Sequence, residues 1–192
     1  MAVEAPRETW VREAFPELEL IADRELAQAV VAIWAETWER SGWERLEDLP
    51  KNHHTVALTH STVAHTRSVT QQCVAIARAI DEHHGLRCDM DLLVAASLLH
   101  DVSKLLESEP GDDGPRTSRF GELIQHGTYA MHMAWKYGLS DELVHVIGSH
   151  TTQSRLAPAT LEAVIVHYAD FVDSDALMWE LGRHKLLLTA AR

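Results

Sequence analysis

Apolar residues along this chain recur at spacings of three and four, the period of an α-helix, and nowhere do alternating β-branched runs meet at a hairpin turn. The pattern predicts an all-α, single-domain helical bundle. In residues 23–41, DRELAQAVVAIWAETWERS, the side chains of Leu26, Val30, Ile33, Trp34 and Trp38 share one side, and Gly42 follows as a stop. Residues 42–60, with Gly42, Pro50 and the polar run KNHHT, read as a connection to a long helix over 62–84 that ends at Gly85. The segment DLLVAASLLHDVSKLL, 91–106, has Asp89 or Asp91 as its cap and is apolar nearly all round through Leu99. It should run through the middle of the fold and deliver whatever follows Leu99 to the interior. Residues 107–121, ESEPGDDGPRTSRFG, carry the strongest loop signal, two prolines and three glycines, and form a candidate lid or substrate loop. Helices are predicted at about 126–137 before Gly138, at 141–149, and at 159–180 just after Pro158.

Composition narrows the class. The 192 residues are 46% hydrophobic and 24% charged, as for one soluble domain. A chain of this length buries roughly 70% of its extended surface, so a bound metal would serve chemistry rather than staple the fold. Seventeen basic against 29 acidic residues give a net charge of −12, and no Lys/Arg patch tracks a phosphate backbone, which argues against nucleic-acid and anionic-membrane partners. With only four lysines, the natural source of positive charge for an anionic substrate is a bound cation. Cys73 and Cys88 form no CxxC pair and read as reduced and buried. The N-terminal residues lack a basic start followed by an apolar core, and no 18-residue apolar run occurs, so a cytoplasmic protein is expected. Oligomeric state is left open.

Thirteen histidines give the chain its candidate chemistry. His100-Asp101 terminates the apolar helix, where burial costs several kcal/mol unless the pair is hydrogen-bonded, ion-paired or bound to metal. His65 heads the inward series Val69, Cys73, Ile76, Ile80. His126 heads Ala130, Met133, Ala134, Tyr137, and His150 continues Leu143, Val144, Ile147. His145 falls about 200° from Leu143 and should face water. In LEAVIVHYADFVDSD, His167, Asp170 and Asp173 follow at three-residue spacing, and periodicity does not choose among them. His53, His54, His83, His84, His132 and His184 read as solvent-facing, and His60 is undecided. Four imidazoles and two carboxylates on inward stripes make an N/O ligand set with donors for two ions such as Mn, Fe or Zn. The competing structural reading makes Asp101 and Asp170 buried partners of Arg78 or Lys104.

The order His65, His100-Asp101, His126, His150, Asp170 resembles the HD-domain superfamily of metal-dependent phosphohydrolases. LLHDVSK resembles its His-Asp-x-Gly-Lys segment, HTRSVTQQCVAIA its first-helix histidine and HYADFVD its terminal Ala-Asp element. HGTYAMHMAWKYGLSDELVHVIGSHTTQ is similar to the paired-histidine region of two-metal members, its His-Thr-Thr ending being like that of bacterial dinucleoside tetraphosphate hydrolases. Ser103 replaces the usual Gly, and no Gly-Tyr-Pro signature follows, which argues against a cyclic-di-GMP phosphodiesterase.

The resemblance covers residues 60–176. It implies an HD-type domain over 60–180; residues 1–59 lie outside it and are expected to form an N-terminal helical extension packed on that domain, with a C-terminal tail over 181–192. It implies one or two divalent ions (Fe, Mn, Co or similar), the first held by His65, His100, Asp101 and Asp170, with Asp101 bridging to a second on His126 and His150. A metal-bridging hydroxide would then attack a phosphoester or phosphoanhydride of a nucleotide or other small phosphorylated metabolite, with Asp101 and Lys104 catalytic. Lys104 is also a candidate phosphate donor, as are Arg116 and Arg119 in the loop. Two alternatives share the ligand set: an HD-type mixed-valent di-iron oxygenase cleaving C–C or C–P bonds, and an inactive metal- or nucleotide-binding regulatory module.

Overall fold

The computed structural model describes residues 6–51 and 60–180. The expectations for His53, His54, His184 and the tail 181–192 lie outside the described residues. The all-α prediction holds: helices surround one continuous core that runs from Val11 to Ala169.

Helix α1 (Pro6–Ala14) and a 3-10 turn (Pro16–Leu20) precede α2 (Arg24–Glu39). Asp23 caps α2 by accepting from the amides of Glu25 and Leu26. Its inward stripe includes Val30, Ile33, Trp34 and Trp38. Trp34 is wholly buried, and its indole N–H donates to the Leu98 carbonyl at 2.9 Å, as a buried indole requires. That bond and the packing of Phe15 on Trp34, centroids 4.7 Å apart, bring the N-terminal helices onto the centre of the fold.

The centre is α4 (Met90–Leu99), in which every residue from Leu93 to Leu99 is buried. Asp89 caps it, accepting from the Leu92 amide; Asp91 instead accepts from the amides of Ala22 and Asp23 and ties the chain before α2 to this helix. Around α4 pack α2, α3 (Thr62–His84), α8 (Asp141–Ser149) and α9 (Leu161–Glu180). Ser61 caps α3, and Gly85 ends it in the left-handed region at φ 68°. Thr160 accepts from the Ala163 amide, so α9 begins at Leu161, two residues beyond the predicted start.

Other predictions need correction. The segment 91–106 is two helices, because a turn at 100–103 separates α4 from α5 (Lys104–Glu107). The loop over 107–121 holds a two-stranded hairpin, β1 (Ser108–Glu109) with β2 (Arg116–Thr117), and then α6 (Arg119–Leu123). Ladders of two residues are too short to show the alternation that marks a strand in sequence. Gly121 permits the close approach of α6, since a Cβ there would run into the Glu107 backbone. Helix α7 (Thr128–Lys136) starts two residues after His126, because Gly127 at φ 81° separates that histidine from the helix it was expected to head. Cys73 is buried as expected, but Cys88 is only half-buried. No helix among the described residues is long and apolar enough to cross a membrane.

Candidate metal centre

Five helices end at, begin at or pass one point. His65 lies in the first turn of α3 and is buried with Val69 and Cys73 on the same face. His100 and Asp101 follow α4, delivered to the interior by the apolar run ahead of them. His126 enters from the turn before α7, His150 closes α8, and Asp170 projects from α9.

Each of these imidazoles is oriented from behind through Nδ1. His100 donates to the Ser97 carbonyl at 2.6 Å and His150 to the Ile147 carbonyl at 2.5 Å. His65 donates to Asp173 at 2.5 Å and His126 to Glu107 at 2.8 Å. These outward bonds leave all four Nε2 atoms facing inward, the arrangement a metal-ligating histidine takes when its other nitrogen is anchored. His65 Nε2 stands 3.3 Å from His100 Nε2, and His126 Nε2 stands 3.1 Å from His150 Nε2.

Asp101 lies between the two pairs. Its Oδ2 is 3.2 Å from His65 Nε2 and 3.4 Å from His100 Nε2, while its Oδ1 is 3.1 Å from His126 Nε2 and 3.9 Å from His150 Nε2. Asp170 Oδ1 approaches His65 Nε2 at 3.1 Å. Ligands about 2.1 Å from a common ion stand roughly 3 Å from one another, so these spacings fit a metal. Among the described residues two groups of potential ligands form, His65, His100 and Asp101, and Asp101, His126 and His150, sharing the aspartate. Asp101 Oδ2, moreover, is buried with no hydrogen-bond partner. The Lys51 and Lys104 ammonium groups approach that oxygen at 3.5 and 3.4 Å without bonding it, so it keeps a desolvation cost that direct contact with a cation would relieve. The donor set therefore fits divalent metal.

The electrostatics point the same way. Burial works against a charged Asp101, but Lys104, Lys51 and His100 outweigh it and hold the carboxyl well below the usual range. Asp170 is held down likewise, chiefly by Lys51 and His65 against burial. Burial, with His100 and His126 nearby, pushes His150 down to about 3, leaving its Nε2 a lone-pair donor. At His126 burial is overcome by the hydrogen bonds to Asp101 and Glu107, which raise it to about 9. Two carboxylates thus call for positive charge at that position.

Lys104 reaches the centre, its Nζ 3.4 Å from Asp101 Oδ2, while also donating to the Lys51 carbonyl at 2.9 Å. Arg116 and Arg119 are not brought there: both are exposed and pair with Glu109 at 2.7 Å and Glu122 at 2.7 Å. Arg78 lines a different cleft, beside Cys88. His83 and His132 are exposed, and His167 donates to the Ser149 carbonyl at 3.2 Å instead of joining the centre. His145 does not face water: it is half-buried, and its Nε2 accepts from the Ala159 amide at 2.9 Å. Its position opposite Leu143 is covered by the chain leading into α9, which a helical wheel of α8 alone does not contain.

Sequence reasoning missed Lys51, Glu107 and the part played by Asp173. Lys51 Nζ is 2.7 Å from His65 Nε2 and 3.5 Å from both Asp101 and Asp170. It lies in a polar connection that no periodicity orients. Glu107 stands at the start of the predicted loop and is fixed by Ser103, which donates at 2.6 Å. Asp173 was visible only as the next member of the three-residue series after Asp170.

Over 113 residues the chain is 32% identical to the dihydroneopterin 2',3'-cyclic phosphate phosphodiesterase of Methanocaldococcus jannaschii, covering 58% of this chain and 45% of that protein. Over 89 residues it is 36% identical to ribonuclease Y of Desulforudis audaxviator, covering 46% of this chain and 15% of the other. The chain spans less than half the length of these relatives, and no solved structure matches it. The model of the HD domain matches residues 62–175, more than half of the chain and the stretch that includes His65, His100-Asp101, His126, His150 and Asp170. The chain belongs to the HD domain family.

Proposed function

We propose that this protein is a metal-dependent phosphohydrolase that cleaves a phosphoester or phosphoanhydride of a nucleotide or other small phosphorylated metabolite. The observation that supports it most is the set of four inward Nε2 atoms arranged two by two about the two oxygens of Asp101. In this reading His65, His100, Asp101 and Asp170 hold one divalent ion, and Asp101, His126 and His150 a second. When bound, such a pair supplies Lewis acidity toward a phosphoryl oxygen and a water acidic enough to react near neutral pH.

The chain's own groups do the rest. Asp101 would offer one oxygen to each pair of histidines, and its burial and its place directly after α4 leave it little freedom to turn away. Glu107 and Asp173 accept from Nδ1 of His126 and His65 and so turn Nε2 of each ring toward the centre. Lys104 stands at the edge of a cleft of about 340 Å³ that also reaches Lys51, His126, Gln125 and Gln153. From there its ammonium can donate to a phosphate oxygen as charge builds on it. The relative from M. jannaschii is a phosphodiesterase acting on a 2',3'-cyclic phosphate, which favours phosphodiesters within the proposed class.

The test is hydrolysis by purified protein supplied with Mn, Fe or Co, with and without oxygen. The panel is bis-p-nitrophenyl phosphate, 2',3'-cyclic nucleotides, mononucleotides and dinucleoside polyphosphates. Phosphate-ester cleavage that persists under nitrogen is expected. Inactivity on the whole panel, with turnover of a C–C or C–P substrate only when oxygen is admitted, would overturn hydrolysis in favour of the di-iron oxygenase.

A further inference from the structure

The proposed ligand atoms of the first position, His65 Nε2, His100 Nε2, Asp101 Oδ2 and Asp170 Oδ1, crowd together: two are carboxylate oxygens and two are the inward nitrogens of rings whose Nδ1 is already bonded. Acceptors held about 3 Å apart repel unless a cation stands among them. One does. The Lys51 ammonium donates to His65 Nε2 at 2.7 Å and lies 3.5 Å from both Asp101 Oδ2 and Asp170 Oδ1. Its side chain is 14% exposed, so it is drawn in from the rim rather than trapped in the core.

The backbone that carries Lys51 is fixed. The Lys51 amide donates to the His60 carbonyl at 2.8 Å, its carbonyl accepts from Lys104 Nζ, and the neighbouring Pro50 and Ser61 form a β-bridge. Thr62 adds a hydroxyl bond to the Pro50 carbonyl at 2.9 Å. What remains free is the four-carbon side chain, which changes place by rotamer steps alone. Among the described residues it has within reach both the ligand cluster and the adjoining cleft, which Lys51 and Lys104 line together.

We infer that Lys51 is a built-in competitor for the first metal position: its ammonium neutralises Asp101 and Asp170 until a divalent ion expels it, and the expelled ammonium turns into the cleft and binds the phosphate of the substrate. A divalent ion brings twice the charge to the same acceptors and orders no side chain in doing so, which is why it prevails once its concentration suffices. In the second posture Lys51 and Lys104 form a pair of ammonium groups beside the ions, suited to the non-reacting oxygens of a phosphate monoester or diester. The inference rests on the metal centre proposed above.

The experiment is calorimetric titration of Mn²⁺, and of Co²⁺ followed by its visible absorption, into the wild-type chain and into Lys51→Met, with Lys51→Gln as a second neutral variant should the first fail to fold. A competitor that occupies the site nine-tenths of the time weakens apparent affinity about tenfold, so the first ion should bind at least about tenfold more tightly to either variant. The metal-free variants should melt at lower temperature than wild type and gain more on adding metal, because Asp101 and Asp170 have lost their counter-charge. At saturating metal, KM for a phosphorylated substrate should rise about tenfold with a smaller change in kcat. Unchanged or weaker metal affinity in both variants overturns the competition, and an unchanged KM overturns the phosphate contact. A wild-type chain that takes up no ion removes the metal centre itself, which separates that failure from this one.

Discussion

Asp173 Oδ2 accepts the Nδ1 proton of His65 at 2.5 Å across the contact between α3 and α9, and Ser68 and Gln72 hold the same carboxylate from its other oxygen. Glu107 does the same for His126. Each proposed ion therefore has one histidine braced by a carboxylate and one braced by a backbone carbonyl. Carboxylate bracing raises ligand basicity as well as fixing direction. Asp173→Ala should weaken binding of the first ion by 10- to 100-fold, on the order found for such supports, while Asp173→Glu recovers part of it. Calorimetric metal affinity decides, and an unaltered value would mean that α9 positions His65 by packing alone.

Asp101→Asn tests the bridge. Both proposed positions lose their shared charge, so metal content should fall at both, and turnover should drop on the order of 10³-fold. Elemental analysis beside circular dichroism separates loss of ions from loss of fold. Retention of one full ion would show that the two positions do not share this residue.

His145→Ala should leave metal content unchanged, because the ring lies outside both ligand groups. It should nevertheless cost about 1 kcal/mol of stability, since the Ala159 amide loses its acceptor. Denaturant melts measure that cost. A loss of metal as large as in His150→Ala would place His145 in the centre instead.

The contact between α2 and α7 should depend on pH. Lys136 hydrogen-bonds Glu36 and Tyr137 donates to its other oxygen at 2.9 Å; the Lys136 bond, against partial burial, lowers the Glu36 pKa. A carboxylate whose folded pKa is lowered stabilises the fold above the unfolded value and loses that contribution as pH falls through the folded one. Glu36→Gln should be less stable than wild type at pH 7 by at most about 1 kcal/mol, given the partial exposure of the pair. The gap should close as pH drops below about 4.3, the ordinary glutamate value. A gap independent of pH would assign the effect to packing.

The helices and the direction in which most of them face were legible in the chain because both depend on spacing within one element. The apolar run Leu93–Leu99 announces a buried helix whatever surrounds it, and it obliges His100 and Asp101 to arrive inside. His65 could be assigned inward for the same local reason. At His126 the inward direction held although Gly127 parts it from the helix it was expected to head, and helical phase failed where another segment covered a face, as Ala159 does at His145.

Which acceptor meets which proton was beyond any spacing rule. Lys51 enters the ligand cluster from a polar connection, Glu107 reaches His126 across 19 positions and Asp173 reaches His65 across 108. Periodicity records which way a side chain leaves its own helix. It carries no record of what stands opposite, because partners so far apart in the chain come within bonding distance only when the elements pack. For this protein the residue types and their order foretold an inward set of imidazoles and carboxylates, and the family resemblance implied that Asp101 is shared, whereas packing alone set the partner behind each ring and the ammonium placed among them.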